Sequence, residues 1–134
     1  MKSFKEFLNE NNLKINIFND KHSFIIDPQY ENESKLYNIK INKIESSFKK
    51  DKDYYIGVNG TNGINNRYNR FIEFLNDNPK IDIIAPSIYI DDNGEVQFNN
   101  GRHRYAVIRD LGIETIPFSI SNNNIKQAKK YNYI

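Results

Sequence analysis

The sequence predicts a single α+β domain, and three observations carry that prediction. The chain has 134 residues, the size of one domain that buries roughly two-thirds of its unfolded surface. Alternating apolar and polar runs flank the turn residues Asp91–Gly94, the mark of a β-hairpin. Two other stretches, 64–76 and 102–111, place their apolar residues at helical spacing.

Taken in order, Ser3–Asn11 reads as a short helix, with Ser3 as N-cap, Glu6 three residues on, and Phe4, Phe7 and Leu8 on one face. Lys14–Phe18 and Ser23–Ile26 read as short strands separated by Asn19–His22, and the polar, proline-containing Pro28–Ser34 as a loop. Leu36–Ile44 alternates and is expected as a strand that ends near the Ser46–Asp53 run. Tyr54–Gly63 carries three glycines and is expected as a flexible connector able to close over a ligand. From Ile64 to Asn76 a helix is expected, with Ile64, Tyr68, Phe71, Ile72 and Leu75 on one side and Arg67 and Arg70 emerging together at its edge. Asn78–Pro79 stops it. Ser87–Ile90 and Glu95–Phe98 are the arms of the hairpin. After Asn99, Asn100 and Gly101, a second helix runs toward the natural stop at Gly112. Thr115–Ile120 is a last strand and Asn122–Tyr131 a terminal helix.

Composition narrows the function classes. With no cysteine, disulfides, thiolate metal sites and cysteine nucleophiles are excluded. No run reaches the roughly 18 apolar residues of a membrane span, and the first residues lack the basic-then-apolar layout of a secretory signal, so a cytoplasmic location without membrane association is expected. The net charge of +2 makes the whole molecule a weak magnet for nucleic acid. Its distribution tells more, because all five arginines, at 67, 70, 102, 104 and 109, lie in one window of the second half.

Within the 102–111 helix, Val107, Ile108 and Leu111 form the apolar stripe, and Arg104 projects onto the same side. Arg102 and Arg109 are expected to point away as surface cations, and Arg102, in the first turn, is also a candidate phosphate ligand. An arginine drawn toward a core needs an anion or several acceptors, since burying an unpaired charge costs several kcal/mol. A helix N-terminus already carries partial positive charge and unpaired amides, so cations in its first turn are mildly unfavourable. A phosphate bound there, on the amides after Gly101 and an arginine fork, resolves both problems. Asn100 would cap the helix or touch the ligand, and Arg67 and Arg70 would add a second fork. His103 is the one acid–base candidate of this turn, while His22 has no partner motif. No set of protein metal ligands is expected, and no carboxylate is marked as a general base. Glu73, Asp91 and Asp110 are candidates by position alone.

The stretch Phe98–Ile120, FNNGRHRYAVIRDLGIETIPFSI, resembles the ParB/sulfiredoxin superfamily: a strand, Gly-x-[His/Arg]-Arg, a helix containing Ala, Leu-Gly, then an Ile-Pro strand. The preceding IAPSIYIDDNGEVQF fits the hairpin that leads into that motif. The resemblance implies one compact domain, a small mixed sheet with flanking helices, whose core spans 37–120. It further implies that Gly101, His103 and Arg104 hold the phosphates of ATP, ADP or CTP, or in some members a nucleic-acid backbone. A Mg²⁺ ion held mainly by substrate phosphates is compatible with the few carboxylates at hand, because such ions need few protein ligands. Arg102 stands where sulfiredoxins have their cysteine, so their reductase chemistry is not expected. Related branches are nucleases, nucleotide hydrolases or small-molecule kinases, which leaves hydrolysis and transfer open. The chain is too short to add both the helix-turn-helix and the dimerisation tail of partition proteins. The alternative expectation is a small DNA-, RNA- or protein-binding factor, phage or mobile-element encoded, using the same turn on a nucleic-acid backbone. MKSFKEFLNE resembles the targeting peptides of proteins packaged in phage heads and delivered to the host cytoplasm.

Overall fold

The computed structural model of the chain describes residues 23–78 and 80–134. The expected Ser3–Asn11 helix, the Lys14–Phe18 strand, His22 and the targeting-peptide resemblance lie outside the described residues. The described chain runs β1 (Phe24–Ile25), β2 (Ser34–Lys40), α1 (Ile41–Phe48), α2 (Arg67–Asp77), β3 (Ile83–Ile84), β4 (Ser87–Ile90), β5 (Val96–Asn100), α3 (Arg102–Asp110), β6 (Thr115–Ser121) and α4 (Ile125–Lys130). It is an α+β domain.

The main sheet is mixed, ordered β2–β6–β4–β5: β6 pairs antiparallel with β2 and parallel with β4, and β4 pairs antiparallel with β5. The hairpin forms where expected because Asp91 Oδ1 accepts the amides of Asn93 and Glu95, both at 2.9 Å, and Gly94 takes the left-handed backbone the turn requires. Near its open end the register slips. Ile88 faces Phe98 but Ser87 faces Asn100, which leaves Asn99 as the extra residue of a bulge. The bulge stands directly before Gly101. β1 and β3 form a separate parallel pair, and β3 had no counterpart in the sequence reading.

Several boundaries differ from expectation. The predicted strand Leu36–Ile44 stops at Lys40 and continues as α1, whose Ile41, Ile44, Ser47 and Phe48 are buried at helical spacing. Burying a large apolar side chain is worth ~1.5–3 kcal/mol, whereas the whole spread of strand preference is only ~1 kcal/mol. Packing therefore overrides the local alternation. α2 begins at Arg67, not Ile64, because Asn65 and Asn66 adopt φ of 52° and 56°. Asn tolerates the left-handed region better than most residues, and it ends the preceding loop there.

α3 lies at the centre. Phe98 and Phe118 pack on Tyr105 from the sheet side, and Phe48 of α1 meets the same ring edge-on. Tyr105, Ala106, Val107 and Ile108 are all fully buried, so the single apolar stripe of the sequence reading becomes burial on nearly every side. A helix enclosed in this way must find a partner for each polar side chain it carries.

Candidate functional site

The two ends of α3 meet that demand differently. At its N-terminus, Gly101 occupies the cap position with φ 83°, and no side chain caps the first turn. No acidic residue stands in that turn. A side chain at position 101 is barred twice: its Cβ would sit in the left-handed region and 2.6 Å from Arg104 Nη2, with Pro86 Cα at 3.1 Å. The Arg104 guanidinium thus folds over the glycine backbone. Its Nε donates to the Ile84 carbonyl at 3.1 Å, while Nη2 is buried with no hydrogen-bond partner. Burial pulls its pKa down, against the pull of the Asp27 charge, yet a guanidinium stays protonated in a protein. Among the described residues Arg104 has no ion pair.

Arg104 faces a depression of about 360 Å³ lined by Arg67, Arg70, Phe71, Asn100, Gly101, His103 and Arg104. The sequence assigns all of these to the site except Phe71, a core residue on the apolar side of α2. The N-terminal parts of α2 and α3 both contribute, and α2 likewise has no acidic residue in its first turn. The partial positive charges of two helix starts therefore add to three guanidinium groups. No Asp or Glu is among the lining residues. Arg102 is the expected site residue that the fold takes elsewhere: its Nη1 donates to the Tyr54 carbonyl at 2.8 Å, and its guanidinium lies 5.2 Å from the centre of the Tyr54 ring.

His103 is only 6% exposed, and its Nε2 accepts the Ile64 amide at 3.1 Å. That bond puts the proton of the neutral ring on Nδ1. Burial first, then the charges of Arg102 and Arg67, push its pKa down to about 4. At neutral pH the imidazole is uncharged, with one nitrogen engaged. Its geometry is that of a positioning residue: by holding Ile64 it fixes the chain entering α2, and so the bases of Arg67 and Arg70.

The other end of α3 corrects the expectation for Arg109. This side chain is 9% exposed and buried in an ionic cluster, not a surface cation. Nη1 bonds Glu45 at 3.1 Å and the Ile56 carbonyl at 2.7 Å, and Nε bonds Asp110 at 3.0 Å. Glu45 also accepts the hydroxyls of Tyr55 and Tyr105, and Asp110 accepts the Tyr68 hydroxyl and the Asn59 amide. Burial, then the Asp110 contact, raises the Tyr68 pKa, and burial and Glu45 raise that of Tyr55 to about 12. Asp110 is thus engaged within the cluster, and Asp91 within the hairpin turn. Neither carboxylate lines the depression, and Glu73 is an exposed residue that does not line it either.

The cluster also overturns the picture of a mobile connector over 54–63. Tyr54, Tyr55, Ile56 and Asn59 are each hydrogen-bonded to α1 or α3, and Ile64 is held by His103. Sequence reasoning misses this tie because Glu45, which accepts the Tyr55 hydroxyl, sits on α1, a helix that begins where the alternation of Leu36–Ile44 predicts a strand. The comparisons with known proteins found no matching family model, no matching curated protein and no matching solved structure.

Proposed function

We propose that this chain is a ParB/sulfiredoxin-like domain that binds the phosphates of a nucleoside di- or triphosphate in the Arg67–Arg70–Gly101–Arg104 depression. The single observation that carries the reading is the Arg104 guanidinium at an uncapped helix start, its Nη2 buried and unpartnered and, unlike that of Arg109, with no carboxylate ion pair among the described residues. A buried cation without a direct ion-pair partner costs several kcal/mol, and a phosphoryl oxygen supplies the missing acceptor. The first-turn amides bring further donors to the same oxygens. Among the described residues no group of three or more His, Asp or Glu side chains is arranged to hold a metal ion. A Mg²⁺ accompanying the nucleotide would therefore take its ligands from phosphate and water. The reading is one of binding: His103 is neutral and engaged, and no carboxylate lines the depression.

A second reading, a DNA or RNA backbone on the same turn, draws on the exposure of Arg67 and Arg70. Salt separates the two. A nucleotide held in the depression loses affinity gently between 50 and 200 mM salt, whereas a backbone contacting several cations loses orders of magnitude. The primary test is a thermal-shift screen with ATP, ADP, CTP and GTP and Mg²⁺. Saturation at about 100 times the dissociation constant adds ~2.7 kcal/mol of stability. That gain should vanish in Arg104→Met, and its absence for every nucleotide overturns the proposal.

A further inference from the structure

On the far side of Asn100 the sheet opens a second cavity of about 350 Å³, at the small end of ligand pockets, which span roughly 300–1,000 Å³. Asn100 lines both cavities. Arg104 spans the same divide, because the carbonyl its Nε holds belongs to Ile84, a wall of the second cavity.

The chemistry of this cavity is opposite to that of its neighbour. Register places Ser87 opposite Ser119, and Ser34 opposite Ser121. Since Ser119 and Ser121 are two apart on β6, the four hydroxyls share one face of the sheet. The other face of β6 carries Phe118 and Ile120 into the core. Ser119 is 5% exposed, lines the cavity, and makes no side-chain hydrogen bond to the described residues. Asp27 and Glu33 stand in the wall and no Lys or Arg does, while the half-exposed Tyr30 ring offers a flat apolar surface.

We infer that the two cavities hold two halves of one ligand: phosphate at the Gly101 turn, and in the serine cavity a nucleoside whose base carries an exocyclic amine. The inference rests on the phosphate reading above. Two carboxylates repel a second phosphate group and accept hydrogen bonds from an amine and from ribose hydroxyls. The hydroxyl of Ser119, which lines the cavity, adds a further acceptor for that amine. Adenine, cytosine and guanine satisfy this wall, and uracil, without the amine, leaves an acceptor unpaired.

The test is amide-resolved NMR titration of the full chain with inorganic phosphate, ribose 5-phosphate, AMP, CMP, GMP and UMP. At least one amino-base nucleotide should bind tenfold or more tightly than ribose 5-phosphate, and shift amides near both Gly101 and Ser119. Glu33→Gln, at an exposed position, and Ser119→Val, which removes the hydroxyl and narrows the cavity, should each bring that nucleotide down toward the affinity of ribose 5-phosphate. Inorganic phosphate binding should be unchanged in both variants. Equal affinity for all phosphates, or variants that leave the ratio intact, overturns this inference and leaves the phosphate site standing. No shift at Gly101 with any probe overturns the phosphate reading itself, and this inference with it.

Discussion

Arg104 and Arg109 are five residues apart on one helix, and both are largely buried, yet they have opposite surroundings. Arg109 meets Glu45, Asp110 and a backbone carbonyl, so its charge is cancelled inside the protein even though its own Nη2 is buried without a hydrogen-bond partner. Arg104 meets one carbonyl and, among the described residues, no carboxylate within ion-pair distance, and it stands next to two further arginines. The first arrangement builds a fold, because its parts complete one another. The second is complete only with something from outside. Burial of a cation alone therefore says little about function. What separates the two cases is whether the acceptors belong to the same chain.

Four substitutions and conditions test that contrast. The largest effect is expected at the balanced end. Arg109→Ala strands two carboxylates, 14% and 4% exposed at Glu45 and Asp110, in the interior. Breaking a buried pair from one side costs about 3–5 kcal/mol, measured as a fall in the urea midpoint. A loss below about 1 kcal/mol would mean the cluster is solvated and the contrast false. Next, Gly101→Ala should cost roughly 1–2 kcal/mol for the left-handed backbone alone. It should also displace the Arg104 guanidinium and abolish phosphate binding, read in the same denaturation series with and without phosphate.

Arg104→Met should cost no stability in the absence of ligand, and can raise it, because replacing an incompletely paired buried charge by an apolar side chain of similar size is often neutral or favourable. The opposite signs at 104 and 109 are the sharpest form of the comparison. A destabilisation at 104 equal to that at 109 would show that Arg104 is paired in solution.

The last effect is the pH response of His103. Its folded pKa of about 4 lies below the ordinary 6.5, so the unfolded chain takes up the proton first as the medium is acidified. The stability from the neutral ring is full above pH 6.5 and declines as pH falls toward 4. Wild type should therefore lose more stability than His103→Gln between those values, since carboxylates titrate alike in both proteins. Parallel curves would contradict the burial of this ring.

Local patterns in the chain determined a good deal. The hairpin around Asp91–Gly94 needed only turn chemistry and alternation, and the start of α3 needed only Gly101 and the periodicity after it. Clustering of arginines between 67 and 109 pointed to six of the seven residues around the depression, since basic first turns are costly without an anion. Three things belonged to the tertiary structure alone. The strand-to-helix change at Ile41 came from burial against the sheet, an energy that no local window contains. Arg109 is buried and Arg102 is drawn away from the depression because Glu45 and Tyr54, distant in sequence, arrive beside them. The serine corner next to Asn100 exists only through strand register, which aligns hydroxyls from three strands that no spacing along the chain relates. Periodicity reports which side of an element faces inward; which charges meet there depends on the partners that folding delivers.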